Sequence, residues 1–229
     1  MKDLTIIIPT LNEEKTIAKS LKELFYVIEM HHLKADVLVI DDSTDGTNQK
    51  IRDSKLPIQI IDGNNKGIGS ALRNGLMKAK SRYAIICMAD FSNEDFSHIP
   101  EIYSKLLQGV DIVQTSRFTK VSVIKGYPKL KFMANRLCNS VAGLLFGRRE
   151  LKDFTSLYKG FRLDKIKKLN LSSNGFDVGL EIVLKGIKKK YNVAEIPVNW
   201  TERSCGISKF KLFGNGFSYF ARVLKIWLK

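Results

Sequence analysis

Residues 4–41 read LTIIIPTLNEEKTIAKSLKELFYVIEMHHLKADVLVID, and this stretch decides the fold. It opens with an apolar, β-branched run over residues 4–9, which is typical of a fully buried parallel strand. Apolar residues then recur at helical spacing from Glu13 to about Met30, and a second apolar run follows over residues 36–41. A strand, a helix and a second strand in this order predict the first unit of a parallel α/β sheet.

The same alternation continues along the chain. Further strands are predicted over residues 58–61, 83–88, 112–116 and 193–200. Helices are predicted to about residue 53, to about residue 79, and over residues 100–107, 129–146, 177–189 and 217–228. Residues 153–161 are interpreted as a polar and aromatic loop. The sequence therefore predicts an α/β fold with a mostly parallel central sheet that helices cover on both faces.

Positive charge is concentrated in the second half of this 229-residue chain, whose formal net charge is +15. Residues 1–110 carry 14 Lys and Arg against 15 Asp and Glu, whereas residues 111–229 carry 24 against 8. The excess predicts an anionic partner for the second half: anionic lipid headgroups, a phosphorylated substrate or nucleic acid. A lysine-rich solvated surface is the alternative. No recognised nucleic-acid-binding module is present, which argues against nucleic acid.

The C-terminal segment, residues 210–229, interleaves aromatic and basic residues. This pattern is typical of an amphipathic helix on a membrane surface, with Trp227 and Lys229 at headgroup level; a helix of the core is the alternative. Residues 144–149 (LLFGRR) form a second candidate interfacial element. No signal peptide and no membrane-spanning apolar run are predicted, and three scattered cysteines do not indicate a disulfide framework. We therefore expect a peripheral protein on the cytosolic face of a membrane.

Four polar clusters lie at the predicted carboxyl ends of strands, where ligands bind in parallel sheets. They are residues 10–13, 41–45, 64–66 and 90–95. Asp41, Asp42 and Asp45 would repel one another unless hydrogen-bond donors are present, and a nucleotide base and ribose supply such donors. Helix capping by Ser43 or Asp45 is the alternative, although it needs fewer acidic residues.

The cluster at residues 90–95 offers carboxylates that could hold Mg²⁺ or Mn²⁺, although a capped helix start looks much the same. Arg117 directly follows a predicted strand, and several Lys and Arg residues are close to it in the sequence. A guanidinium at a strand end suits phosphate capture.

Eight segments in order resemble the family 2 glycosyltransferases of GT-A fold, in particular their dolichol-phosphate mannosyltransferase (polyprenyl-phosphate glycosyltransferase) branch. They are IIIPTLNEEKTI (6–17), VIDDSTDGT (39–47), NKGIGSALRNGL (65–76), MADFSNED (88–95), TSRF (115–118), DFTSLYKGFR (153–162), GFDVGLEIVLKG (175–186) and EIPVNWTERSCGISKF (195–210). The resemblance covers nearly the whole chain. It implies a GT-A domain over residues 1–209, with a nucleotide-sugar half (1–116) and an acceptor half (117–209), followed by the membrane-surface helix 210–229.

The resemblance also implies roles for individual residues. The donor nucleotide sugar is assigned to Pro9, Asn12, Glu13, Asp41, Asp42 and Lys66. A divalent metal is assigned to Asp90 with Ser92, and the acceptor phosphate to Ser116 and Arg117. Arg203, Ser208 and Lys209 are assigned to the donor diphosphate or the lipid phosphate. Asp90, Arg117 and Arg203 are the expected catalytic residues.

One position departs from the family pattern. The chain has Met88 where the Asp-x-Asp motif of the family has its first Asp, and a thioether is a poor ligand for Mg²⁺ or Mn²⁺. This puts the metal dependence in doubt and leaves open a catalytically impaired relative that binds nucleotide sugar or a partner subunit.

The expected reaction is transfer of a sugar, with inversion, from GDP-mannose first or UDP-glucose second to a polyprenyl or dolichyl phosphate. A membrane-anchor subunit is a further expected partner. A family 2 transferase with a non-lipid acceptor is the alternative.

Overall fold

The computed structural model describes residues 2–89, 96–201 and 212–228, and for residues 212–215 the backbone alone. The strands are β1 Leu4–Thr10, β2 Ala35–Asp41, β3 Ile58–Asp62, β4 Tyr83–Ile86, β5 Ile112–Ser116, β6 Ile124–Lys125, β7 Lys159–Arg162, β8 Val193–Pro197 and β9 Trp200–Thr201. The helices are α1 Ile17–Met30, α2 Thr47–Asp53, α3 Ile68–Lys78, α4 Ile99–Leu107, α5 Lys129–Leu145, α6 Leu163–Ile166, α7 Val178–Lys188 and α8 Leu212–Trp227.

Within these ranges, seven strands form one sheet in the order β3-β2-β1-β4-β7-β5-β8, and β6 pairs with β9 in a second, two-stranded sheet. The large sheet is parallel except for β7, which runs antiparallel to both β4 and β5. The carboxyl ends of the parallel strands therefore meet at one edge of the sheet, and β7 begins at that same edge. The predicted α/β class with a mostly parallel sheet is confirmed.

Each face of the sheet carries its own apolar core, because successive strand side chains point to opposite faces. On β1, Ile6 and Ile8 pack in the cluster that contains Leu21 and Leu24 of α1. Ile7 packs in the other cluster, with residues of α3, α5, α7 and α8. β1 is buried along its whole length, as its unbroken apolar run predicts.

The prediction of a loop over residues 153–161 was wrong at its end, because β7 starts at Lys159 in the middle of the sheet. Only four residues long, β7 is too short to show a clear period of two. Gly160 explains its position: a Cβ there would lie 2.2 Å from Ile102 of α4, so α4 covers the strand closely. The predicted strand 193–200 is also divided, since β8 ends at Pro197 and β9 pairs separately with β6.

Helix α8 packs one face against the core and leaves the other face in solvent. Tyr219, Val223 and Ile226 are buried in the cluster that contains α5 and α7 residues, whereas Phe217 and Leu228 are exposed. The buried side of α8 thus agrees with the alternative interpretation, a helix of the core. The membrane-surface role of its exposed side stays a prediction. Among the described residues, no helix combines the length and apolar character needed to cross a bilayer.

Candidate functional site

Three of the four polar clusters predicted at strand ends, residues 10–13, 41–45 and 64–66, lie at one edge of the sheet, and residues 90–95 lie outside the described residues. Thr10 at the end of β1 is paired with Asp41 at the end of β2, and Asp41 is paired with Asp62 at the end of β3. Farther along, Lys159 at the start of β7 lies between Ile86 of β4 and Gln114 of β5. The residues predicted to hold the donor are therefore on the β1–β3 side, and Ser116 and Arg117 are on the β5 side.

Asp41 is buried and accepts hydrogen bonds from the protein itself. Its carboxylate accepts from the Thr10 hydroxyl at 2.7 Å, the Ser43 amide at 3.2 Å and the Asn48 side chain at 3.1 Å. Neighbouring residues thus supply three of the donors that the sequence predicts around this carboxylate, and the contribution of a nucleotide stays a prediction. Asp41 consequently fixes the loop after β2, and its three donors are all neutral.

The loops after β1 and β2 are interlocked through Asn12. The Asn12 amide donates to the Ser43 hydroxyl at 2.8 Å, and the Asn12 side-chain oxygen accepts from the Thr44 amide at 2.9 Å. Asn12 has a φ of 59°, a left-handed conformation that asparagine tolerates better than most residues. The Glu13 amide donates to the Thr47 hydroxyl at 2.9 Å. Pro9 is buried within β1 beside Ile40, so it lies in the sheet directly before these two loops and helps to fix their position.

Asp42 fixes the loop between β3 and α3, the third loop on the β1–β3 side. Its carboxylate accepts from the Asn65 amide at 2.8 Å, and a Cβ at Gly63 would lie 2.0 Å from an Asp42 oxygen. Glycine at position 63 is therefore required for Asp42 to lie there. Lys66 follows in this loop and is exposed, so its ammonium is available to solvent or a ligand.

The segment that leads to the predicted metal site is anchored but carries no hard ligand where it is described. The buried Ser20 hydroxyl of α1 donates to the Ala89 carbonyl, which fixes the chain just before residue 90. Met88 is half-buried. Asp90 and Ser92 lie outside the described residues, and among the described residues no cluster of three His, Cys, Asp or Glu side chains could hold a metal ion.

Arg117 is held by a carboxylate that the sequence reasoning assigned no role. Its guanidinium donates to both oxygens of Asp153, at 2.7 and 2.9 Å, and to the Thr155 hydroxyl at 3.0 Å. The Arg117 side chain is 11% exposed and that of Asp153 is fully buried. Asp153 is the first residue of the DFTS segment. An acidic residue shortly before a Thr-Ser pair is the sequence signal that could have identified it as a site residue. Ser116 is buried beside this pair, and its hydroxyl accepts from the Phe118 amide at 3.3 Å.

The cations around Asp153 favour the ionised form of its carboxyl group. Burial would raise the pKa of Asp153, but the charge of Arg117, its hydrogen bonds and the charge of Lys159 outweigh burial and lower the pKa. Lys159 is itself fully buried. Asp153 thus lies close to two cations, Arg117 and Lys159, and its own amide donates to a second carboxylate, Glu195, at 3.1 Å.

Aromatic rings surround the Arg117 guanidinium. It lies 5.2 Å from the ring centre of Phe118 and 5.9 Å from that of Tyr127, within the range of cation–π attraction. Arg136 of α5 lies 5.3 Å from the same Phe118 ring, and Lys131 lies 5.5 Å from the Tyr127 ring. The β5 side of the edge is therefore both cationic and aromatic.

A loop of the second half fixes the start of α3, a contact that the sequence reasoning missed. Arg73 donates to the Ser173 carbonyl and, at 2.7 Å, to the Asn174 side chain. The Gly69 amide donates to the Asn174 carbonyl at 2.9 Å, and a Cβ at Gly69 would lie 2.5 Å from the Ser173 carbonyl oxygen. The glycines of the NKGIG segment could have signalled such a close backbone approach.

The same loop is tied to α8 through charged residues. Arg222 of α8 donates to Asp177 at 2.7 Å and to the Ser172 hydroxyl at 2.9 Å. Glu181 of α7 accepts from the amides of Ser172 and Ser173. The C-terminal helix is therefore connected, through residues 172–177, to the loop that contains Lys66. Three further predicted site residues, Arg203, Ser208 and Lys209, lie outside the described residues.

Known structures share this fold. A glucosyl-3-phosphoglycerate synthase from Mycobacterium tuberculosis, solved with Mn²⁺, uridine diphosphate and phosphoglyceric acid, superposes with a TM-score of 0.78 at 16% sequence identity, covering 99% of this chain and 78% of that chain. A second structure of the synthase, with Mg²⁺ and uridine diphosphate, gives a TM-score of 0.75 at 17% identity, covering 98% of this chain and 79% of that chain. At this level of identity the likeness establishes the fold.

Characterised relatives match at higher identity. The polyprenol monophosphomannose synthase of Mycolicibacterium smegmatis is 28% identical over 89% of this chain and 79% of its own length. The dolichol-phosphate mannosyltransferase of Pyrococcus furiosus is 30% identical over 91% of this chain, which spans 59% of that protein. The dolichyl-phosphate hexose transferase of Haloferax volcanii is 23% identical over 99% of this chain and 95% of its own length. Residues 5–170 match the model of glycosyl transferase family 2, and the chain belongs to that family.

Proposed function

We propose that this protein transfers a hexose from a nucleotide diphosphate sugar to a polyprenyl or dolichyl phosphate at a membrane surface. The observation that carries the proposal is the Arg117–Asp153 pair, which lies on the same sheet edge as the loops predicted to bind the donor. The relatives named above act on lipid phosphates or hexoses of this kind, which supports the assignment.

The donor is assigned to the three interlocked loops on the β1–β3 side. Asp41 and Asp42 accept from neutral protein donors, and carboxylates of this kind suit the hydroxyl and amino groups of a nucleoside. Asn12, Glu13 and Pro9 fix the shape of the first loop, and the exposed Lys66 suits the diphosphate. GDP-mannose is the first expected donor and UDP-glucose the second.

The acceptor phosphate is assigned to Ser116 and Arg117. Asp153 orients the guanidinium of Arg117 and neutralises part of its charge, while Lys159, Lys131 and Arg136 add positive charge around it. The local balance therefore attracts an anion.

Because the acceptor is already an anion at neutral pH, its oxygen needs no general base. It attacks the anomeric carbon from the face opposite the nucleotide diphosphate, and the bond to the diphosphate breaks with inversion. The protein contributes positioning and charge stabilisation to this step.

A divalent cation is proposed as the cofactor, held by Asp90 and Ser92 together with the donor diphosphate. Bound there, Mg²⁺ or Mn²⁺ would supply positive charge to the departing diphosphate. The described part of the segment, Met88 and Ala89, does not fit such an ion, because neither side chain offers an oxygen ligand. Arg203, Ser208 and Lys209 are proposed to contribute cationic and polar contacts to the same diphosphate or to the lipid phosphate.

Membrane attachment is proposed through two amphipathic helices. On α5, four apolar side chains spaced along one face are exposed to solvent: Leu130, Met133, Leu137 and Leu144. On α8, residues 217, 224 and 227 are exposed and apolar, as is residue 228 directly after the helix. Apolar faces on two adjoining helices favour an interfacial position, with residues 1–116 and 117–209 as the donor and acceptor parts of the catalytic domain and residues 210–229 as a surface helix. A membrane-anchor subunit is a further proposed partner.

A catalytically impaired relative is the second candidate, and Met88 is the observation that favours it. One assay separates the two. Purified protein is incubated with radiolabelled GDP-mannose or UDP-glucose and polyprenyl phosphate, with and without Mn²⁺, and lipid-linked sugar is counted. Transfer to the lipid supports the proposal; protection of the protein by a donor against thermal unfolding, with no transfer from either donor, overturns it in favour of the second candidate.

Variants of Arg117 test the acceptor assignment in the same assay. We expect Arg117→Ala to abolish transfer and Arg117→Lys to raise the KM for the acceptor more than that for the donor, since lysine cannot reproduce the two-pronged contact with Asp153. The control is Arg82→Ala, at an exposed residue beside the start of β4, at the opposite edge of the sheet. An unchanged acceptor KM in Arg117→Lys would contradict the assignment.

A further inference from the structure

A groove of about 340 Å³ runs along α5, next to the chain segment that follows it. The residues that line it are Arg136, Asn139, Ser140, Gly143, Leu144, Arg149, Leu151 and Lys152. Three of these are cations. Arg136 is shared with the cations proposed around the acceptor phosphate, whereas Ser116, Arg117 and the described donor residues do not line the groove.

The groove exists because the chain reverses tightly after α5. Gly147 has a φ of 63°, and the Arg148 amide donates to the Gly143 carbonyl at 2.8 Å. The returning chain is then fixed to α5 by the Phe154 amide, which donates to the Asn139 side chain at 2.8 Å. Because Gly143 has no side chain, the space between α5 and the returning chain stays open. The groove therefore results from the backbone fold of this segment.

The acidic residues nearest the groove offset only part of its positive charge: the pKa of Glu150 is lowered first by its hydrogen bond from Arg148 and further by the charge of Lys152. In the described part of the chain, Arg136, Arg149 and Lys152 form no ion pair with a carboxylate. Glu150 pairs with Arg148, and Glu195 accepts from the backbone amides of Lys152 and Asp153 and from the side chain of Gln114. The groove therefore carries a local excess of positive charge next to the apolar side chains of Leu144 and Leu151.

The groove borders the exposed apolar face of α5. The exposed apolar residues of α5 share one face of the helix: 130, 133, 137 and 144. The groove-lining positions lie about a quarter turn away around the helix axis: 136, 140 and 143. On the other flank, Cys138 and Ala142 are buried in the cluster that includes Tyr219 and Val223 of α8. If the apolar face enters the boundary between acyl chains and headgroups, the groove lies at the depth of the headgroups.

We propose that this groove binds the phosphate headgroup of an anionic phospholipid of the bilayer, distinct from the acceptor lipid, and thereby orients the protein on the membrane. Charge complementarity selects an anionic headgroup, and Leu144 and Leu151 offer a contact for the first part of its acyl chains. The inference rests on the proposed membrane attachment. Arg136 lies at the end of the groove nearest Arg117, since it also contacts Phe118.

Vesicle binding tests the groove. The variant Arg149→Gln/Lys152→Gln removes two exposed cations of the groove, and the matched control Lys78→Gln/Lys80→Gln removes two exposed cations at the far end of α3. Both are compared with the wild type on vesicles of phosphatidylcholine with and without phosphatidylglycerol, after thermal unfolding has shown that each variant is folded. We expect the groove variant to bind phosphatidylglycerol vesicles at least about tenfold more weakly, and the control to differ little from the wild type.

A third vesicle separates the headgroup site from the acceptor site. It contains phosphatidylcholine with a small fraction of polyprenyl phosphate and no phosphatidylglycerol. The groove variant is expected to bind this vesicle as the wild type does. If it loses this binding alone, or if it matches the control on phosphatidylglycerol vesicles, the groove proposal is overturned. If the wild type binds none of the three vesicles, the proposed membrane attachment itself is wrong.

Discussion

On the β1–β3 side of the sheet edge, carboxylates accept hydrogen bonds from hydroxyls, amides and an asparagine side chain. On the β5–β7 side, the buried carboxylate of Asp153 accepts from a guanidinium and lies close to a second cation, the buried Lys159. The first arrangement fixes loops and leaves the negative charge of Asp41 and Asp42 in place. The second fixes a cation and leaves a net positive charge.

This difference assigns opposite tasks to the two sides. A carboxylate with neutral partners still attracts hydrogen-bond donors, as a nucleoside presents, whereas an arginine beside several other cations still attracts a phosphate. The same contrast appears in the sequence, where the excess positive charge lies after residue 110. An energetic contrast follows as well, because breaking a buried ion pair costs more free energy than breaking a single hydrogen bond to a neutral donor.

The largest effect is expected for Asp153→Asn. The substitution leaves Arg117 partly buried without its counter-ion, which costs about 3–5 kcal/mol of unfolding free energy. It also frees the guanidinium to reorient, so transfer activity should fall sharply. Urea unfolding measures the first effect, and the radiolabelled-donor assay measures the second.

Lowering the pH should reduce the difference in unfolding free energy between the wild type and Asp153→Asn. Arg117 and its neighbours lower the pKa of Asp153, despite a burial that acts to raise it. Asp153 therefore contributes stability that is complete above the pKa of an unfolded aspartate and is lost as pH falls through the lower folded pKa. Asp45→Asn is the control, since Asp45 is exposed and accepts from Thr47 and the Glu14 amide rather than from a cation. If Asp153→Asn and Asp45→Asn lost equal amounts of unfolding free energy, the contrast between an ion-paired and a hydrogen-bonded carboxylate would be contradicted.

Much of the fold could be predicted because its signals are local. The apolar runs of β1, β2 and β5 and the helical spacing of α1 and α5 depend on neighbouring residues alone, and their predicted positions agree with the structure to within a few residues. β7 was missed because its four residues gain their strand character from β4 and β5, which are far away in the sequence. The insertion of an antiparallel strand between two parallel ones is a tertiary property, and no local pattern reports it.

The site divides in the same way. Arg117 was predicted from its position after a strand, but the partner that holds it, Asp153, lies 36 residues later and becomes its neighbour through folding alone. The acidic cluster was recognised, but the protein donors to Asp41, from Thr10, Ser43 and Asn48, were not predicted. Sequence patterns located the charged groups, and the structure was needed to pair them.

Gly69→Ala tests how far the second half shapes the donor side. A Cβ at this position would lie 2.5 Å from the Ser173 carbonyl oxygen, so α3 or the facing loop must move. We expect a loss of about 1–3 kcal/mol in unfolding free energy and a higher KM for the donor, because the loop of Lys66 is displaced. Gly216→Ala is the matched control: no atom lies within 4 Å of its Cβ position, and alanine in a helix should stabilise α8 by about 0.5–1 kcal/mol. Similar effects of the two substitutions on stability would contradict the close approach of α3 to residues 173 and 174.

The smallest effect is expected for Asn12→Ala, which removes the acceptor for the Thr44 amide and places alanine at a φ of 59°. We expect a loss of about 1–2 kcal/mol, together with a higher KM for the donor and an unchanged KM for the acceptor. Asn12→Gly separates the two causes, since glycine accepts this φ without strain but provides no side-chain oxygen. If Asn12→Gly restores stability but not donor KM, the link between the two loops is the functional contribution of Asn12. A raised acceptor KM in either variant would show that the two sides of the edge are not separate binding regions.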